Sequence, residues 1–207
     1  MNTRLVSMTF AALLLLWSPL SFAGEYEDGL AVFKRGDYKI ALALFTQAAN
    51  KGDARAQSML GAMYGSGQGV PQDYNEAASW YRKAADQGLA QAQVSLGVMY
   101  GNGHGVAQDY NQAVSWYRKA ADQGLAMAQF NLGTAYASGQ GVPQDYNQAA
   151  SWYRKAADQG DADAQFNLGF MYSNGQGVPQ DYVEAYKWFN IAAAYSADKE
   201  VRDDAWL

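Results

Sequence analysis

The stretch QDYNEAASWYRKAADQG, residues 72–88, returns almost letter for letter at 108–124 and 144–160, and more loosely from Gln180. Trp80, Trp116, Trp152 and Trp188 stand 36 residues apart, as do Gly52, Gly88, Gly124 and Gly160. A fixed period of this length constrains the fold more than any other feature. Each copy is one supersecondary unit too small to bury its own apolar face, so it must stack on its neighbours in a row. The 207 residues suffice for one short array of such units.

Within a period the pattern reads as two helices. The first spans about Ala54 to Tyr64, with Ala56, Leu60, Met63 and Tyr64 at helical spacing. Gly61 recurs as Gly97, Gly133 and Gly169. A glycine inside a helix costs about 1 kcal/mol against alanine, so its return predicts a neighbouring helix backbone pressed against it. Gly67-Gln68-Gly69-Val70-Pro71 then breaks the chain. Its Gly-x-Gly is not read as a phosphate loop, because no strand precedes it and no Lys-Ser/Thr follows. The second helix opens on Asp73 with Glu76 three residues on, a capping-box pattern repeated by Asp109/Gln112, Asp145/Gln148 and Asp181/Glu184. Ala77, Tyr81, Ala84 and Ala85 form its apolar stripe, and Gly88 stops it where a left-handed residue is needed. Stacked antiparallel helix hairpins follow, an all-α fold.

The flanks differ. Residues 1–23 read as a secretory signal peptide, with Arg4, an apolar run from Leu5 to Trp17, and cleavage after Ala23 in Ser21-Phe22-Ala23. Export to the periplasm or beyond the cell is therefore expected. No later apolar stretch is long enough to span a bilayer. Residues 24–51 form a shortened first unit, its loop four residues shorter than the next, closer to a tetratricopeptide hairpin. Four full units are expected at 52–87, 88–123, 124–159 and 160–195. Residues 196–207 begin a further helix, with Val201, Ala205, Trp206 and Leu207 as apolar positions, which serves as a short C-terminal cap.

These residues carry a family resemblance. The string Ala-Gln-x-x-Leu-Gly-x-Met-Tyr, then Gly-x-Gly-Val, Asp-Tyr and Ala-x-x-Trp-Tyr-x-x-Ala-Ala-x-x-Gly resembles the Sel1-like repeat, a relative of the tetratricopeptide repeat. The resemblance spans about residues 52–195. It implies a right-handed α-solenoid whose work is protein–protein binding, in bacteria often in exported proteins tied to envelope regulation or host interaction.

The chemistry available narrows function further. The net charge is −5, and one unit more acidic once Arg4 leaves with the leader. With its charges scattered, the chain lacks the basic patch that nucleic acid requires and has no attraction to anionic lipid. Cysteine is absent and His104 is the sole histidine. It occupies a loop slot filled elsewhere by Gln68, Gln140 and Gln176, and reads as a chance substitution, so no metal and no cofactor is expected. Cysteine-rich members of the Sel1-like family are described as binding or slowly hydrolysing β-lactams, which leaves a weak β-lactamase as an alternative. Ser196-Ala197-Asp198-Lys199 matches Ser-x-x-Lys, but the Ser-Asp-Asn and Lys-Thr-Gly elements are missing. A non-enzymatic protein is the expectation. Trp80-Tyr81 and its copies could bind a glycan or peptidoglycan, the further alternative, though rings at a fixed offset are read as core. Arg82-Lys83 and its copies read as a solvated face.

The copies differ mainly on the first helix, at offsets 3, 7, 10 and 14 from each leading glycine. That spacing draws one helical stripe. It runs Arg55, Met59, Ala62, Ser66; Gln91, Ser95, Val98, Asn102; Met127, Asn131, Thr134, Ser138; and Asp163, Asn167, Phe170, Asn174. The resemblance places this helix on the concave surface. The stripe is thus the candidate groove for a peptide or protein partner, mixing apolar anchors with small polar groups.

Overall fold

The computed structural model describes residues 24–204. The leader at residues 1–23 lies outside the described residues, as do the side-chain roles assigned to Ser196, Lys199, Val201, Ala205, Trp206 and Leu207. Among the described residues there are ten α-helices and no strand. They are α1 (Glu25–Lys34), α2 (Tyr38–Asn50), α3 (Ala54–Ser66), α4 (Tyr74–Asp86), α5 (Ala90–Asn102), α6 (Tyr110–Asp122), α7 (Ala126–Ser138), α8 (Tyr146–Ala157), α9 (Ala162–Asn174) and α10 (Tyr182–Asp204). Each odd-numbered helix pairs with the even one after it, and each pair packs on the next. The core is accordingly a row of clusters between and within hairpins rather than one centre.

Local chemistry sets the element ends. Asp73 Oδ1 accepts from the backbone N–H of Asn75 at 2.8 Å and of Glu76 at 3.1 Å. Asp109, Asp145 and Asp181 cap α6, α8 and α10 in the same way. Each such cap satisfies donors that the helix cannot, and is worth about 1 kcal/mol. Gly88 follows the end of α4 at φ +90°, in the left-handed region expected of it.

The recurrent mid-helix glycine faces a ring at every copy, and at two copies also the helix backbone that the sequence predicts. A Cβ on Gly61 would stand 2.8 Å from the Tyr81 ring, and one on Gly97 2.6 Å from the Tyr117 ring. Gly133 faces Tyr153 and Gly169 faces Phe189 in the same manner. An aromatic side chain of the hairpin partner fills the space, and at Gly97 and Gly169 the partner helix's backbone also lies close, its Ala113 and Ala185 carbonyl oxygens 3.2 Å from such a Cβ. The reason is size: with alanines at its other contact positions, the second helix closes the gap with one large ring.

Two devices lock each hairpin to its neighbours. The Gly-x-Gly loop folds onto the start of the preceding hairpin's second helix, where a Cβ on Gly69 would lie 2.7 Å from the Tyr38 carbonyl oxygen. Gly105, Gly141 and Gly177 meet the Tyr74, Tyr110 and Tyr146 carbonyls still more closely. Those three tyrosines are 37–39% exposed, whereas Tyr182, onto which no described loop folds, is 68% exposed. The second device is a ladder of buried glutamines. Gln57, Gln93, Gln129 and Gln165 each donate back to a carbonyl of the preceding helix, at Ala49, Ala85, Ala121 and Ala157. Gln87, Gln123 and Gln159 then donate to the first three of them at 2.7–2.8 Å. Position 195 carries Tyr where those donors stand, and Gln165 Oε1 has no partner among the described residues.

The end of the array corrects another expectation. Residues 196–204 do not begin a new helix; α10 passes through them unbroken to Asp204. Ser196 stands where Gly88, Gly124 and Gly160 end the earlier helices, so the left-handed stop is missing.

Candidate partner-binding surface

All sixteen stripe residues lie on α3, α5, α7 and α9, and none is buried. Val98, Met127 and Phe170 are 39%, 49% and 51% exposed, high for side chains of their type. Met59 and Ala62 are half-buried, and Met59 packs on the first core cluster. Several polar members bond to their own helix: Ser66 to the Ala62 carbonyl, Ser95 to Gln91, Thr134 to Phe130, Ser138 to Thr134 and Asn174 to Phe170. Arg55 has a structural duty. It bonds to Asp53 and to Glu27, each within 2.9 Å, and lies 4.1 Å over the Tyr26 ring, which ties α3 to α1.

The stripe is not flat. Gln91, Ser95, Val98 and Met127 border a depression of about 240 Å³ floored by Ala77 and Tyr81. Asn102, Asn131 and Thr134 border a second, of about 200 Å³, floored by Ala113 and Tyr117. Asp163 borders a third beside Phe166. Arg55, Met59, Ala62, Ser66, Ser138, Asn167, Phe170 and Asn174 line none of the three.

The floor is chemically distinctive. Burial pushes the Tyr117 phenol up to about 12. Burial also raises Tyr81, opposed by a hydrogen bond with Ser95, and Tyr153, opposed by bonds with Thr134 and Asn167. These phenols stay neutral at physiological pH and offer hydroxyls rather than charge. At the far end, burial and then the charge of Asp163 raise Asp161.

Sequence reasoning missed the residues that shape the depressions: Gly65, Tyr74, Gly101 and Tyr110. His104, read as a chance substitution, stacks on the Tyr74 ring at 4.7 Å and forms part of a wall. The legible signal was the glycine at offset 13, present in the first two full units and replaced by Ala137 and Ser173 in the next two.

The expectations for the second helices divide. Trp116 and Trp188 are buried and Trp80 and Trp152 half-buried, as core packing requires. Lys83, Lys119 and Lys155 lie 3.7–3.8 Å over the Trp80, Trp116 and Trp152 rings. The arginines beside them are not simply a solvated face. Arg82, Arg118 and Arg154 donate to the hydroxyls of Tyr100, Tyr136 and Tyr172 on the following hairpin, because their reach spans the interface.

Five stacked hairpins, four of them presenting a variable, unburied stripe on their first helix, define an α-solenoid repeat protein. The chain belongs to the Sel1 repeat family, which it matches at residues 21–53, 54–89, 90–125, 126–161 and 162–194. The first hairpin is thereby matched as a Sel1 repeat too. Among solved structures, the protective antigen c5321 of uropathogenic Escherichia coli, with an SLR fold, is 40% identical at a TM-score of 0.78. That match covers 82% of this chain and 37% of the antigen, so the chain spans little more than a third of it. A Sel1 repeat protein from Oxalobacter formigenes is 38% identical at a TM-score of 0.78, over 82% of this chain and 69% of its own. A putative Sel1 repeat protein from Klebsiella pneumoniae, 24% identical over 86% and 89% of the two chains, shares the fold at a TM-score of 0.56. No curated protein matches the chain. No helix among the described residues is long and apolar enough to cross a membrane.

Proposed function

We propose that this protein is an exported, non-enzymatic scaffold that holds a peptide or protein partner along the stripe of α3, α5, α7 and α9. The Sel1 repeat fold is consistent with a protein-interaction role. The observation that carries the reading is a continuous row of sixteen unburied, copy-variable positions, interrupted by depressions and bearing exposed Val98, Met127 and Phe170. The leader-like residues 1–23 support export to the periplasm or beyond the cell. Envelope regulation fits such a scaffold. The protective antigen among its relatives favours host interaction as a second reading.

Affinity capture from envelope extract tests this, using residues 24–207 beside a Met127→Glu/Phe170→Glu variant. Both side chains are about half exposed, so the charges leave the helices folded. A protein retained by the first and lost from the second is the expected result. Equal retention by both moves the binding surface elsewhere.

A further inference from the structure

Two of the three depressions on the stripe are one site repeated. Shifting the first by one period turns Gly65, Tyr74 and Tyr81 into Gly101, Tyr110 and Tyr117, and the wall residue His104 into Gln140. At 240 and 200 Å³ they fall below the roughly 300–1,000 Å³ of small-molecule sites. Each suits a single side chain. Packing does not demand the glycines that open them. A Cβ on Gly65 would meet Ala77 Cβ at 3.7 Å, and one on Gly101 the Tyr117 hydroxyl at 3.8 Å, both ordinary contacts. Each glycine weakens its helix relative to alanine, and its effect is an open pocket.

Backbone chemistry and polarity define the occupant. A polyproline II segment returns to the same face every third residue, a rise of about 9 Å, and its backbone groups are unbonded. The side chains of Gln91, Asn102, Asn131 and Gln140 rim the pockets and provide amides for such a backbone. A helical partner, its own backbone already bonded, has no use for them. Charge points the same way. Neither α5 nor α7 contains a charged residue, so a charge buried here would go unpaired. Past them stands Asp163, exposed and next to the partly buried Asp161.

Resting on the groove reading above, we propose that the partner segment is an extended, polyproline II-like peptide. It is uncharged across α5 and α7, places an apolar side chain at every third position into successive pockets, and carries a basic residue where it passes Asp163.

The test uses synthetic peptides of one composition, with leucines at every second, third or fourth position among prolines and serines and a lysine pair at either end. Binding is read by fluorescence anisotropy on the protein and on Gly65→Leu and Gly101→Leu variants, which fill the pockets while favouring the helix. Saturable binding of the third-position peptide, weakened about tenfold by either variant with unchanged circular dichroism, is expected. Loss of binding on Asp163→Lys should accompany it. Equal affinity for all spacings, indifference to the glycine variants, or binding of cell-wall sugar fragments in place of every peptide overturns the inference. Those results leave the groove reading standing if capture still depends on Met127 and Phe170. Loss of that dependence removes the groove itself.

Discussion

At the scale of the residue, two glycines on α5 look alike in the sequence and differ in what they face. A Cβ on Gly97 would enter the Tyr117 ring at 2.6 Å, while one on Gly101 finds 3.8 Å of clearance. Gly97→Ala should therefore destabilise by about 1–3 kcal/mol through overpacking, and Gly101→Ala should stabilise by about 0.5–1 kcal/mol. Urea denaturation of the two variants reads the opposite signs. Spacing made the recurrence of Gly97 and the nearby Ala113 backbone legible but not the closer Tyr117 ring, since a ring and a backbone leave the same mark on a sequence. The Tyr117 ring itself predicts a pH effect. Its folded pKa of about 12 lies above the value near 10 of an unfolded chain. The folded state favours the neutral phenol, so this contribution is full below about pH 10 and is lost as pH rises towards about 12. Thermal melts across that range should fall less steeply for Tyr117→Phe.

At the scale of the element, helix ends were the most legible feature. Asp73, Asp109, Asp145 and Asp181 cap as their positions predict, because a carboxylate before an apolar-periodic run has one strong local use. Asp109→Ala should cost about 1 kcal/mol, and Asp109→Asn a small fraction of that, measured by the shift in denaturation midpoint. The buried glutamines were printed in every copy of Ala-Gln-x-x-Leu-Gly and went unassigned. A polar residue on an otherwise apolar face marks a hydrogen bond whose partner lies 30 residues away, beyond the reach of local pattern. The unbroken α10 is the opposite case. Its sequence lacks the glycine that stops its predecessors, and the missing signal counted for less than the end of the repeat pattern.

At the scale of the whole molecule, the period gave the architecture because stacking is set by nearest neighbours. The pockets stayed hidden, since residues from three hairpins meet there: Gly65, Val98 and Met127 border one depression from α3, α5 and α7. Nearest-neighbour stability also predicts the outcome of removing a unit. Deleting residues 88–123 joins Gln87 to Gly124 and restores an existing junction. The shortened chain should fold with the same helical signature per residue and a lower Tm, checked by circular dichroism. The loop glycines that rest on Tyr38, Tyr74, Tyr110 and Tyr146 make this possible, because each hairpin carries the clamp for the one before it. That arrangement has a genetic consequence. Unequal crossing-over between the near-identical stretches 72–88, 108–124 and 144–160 adds or removes whole units in frame, and every recombinant inherits interfaces that already fit.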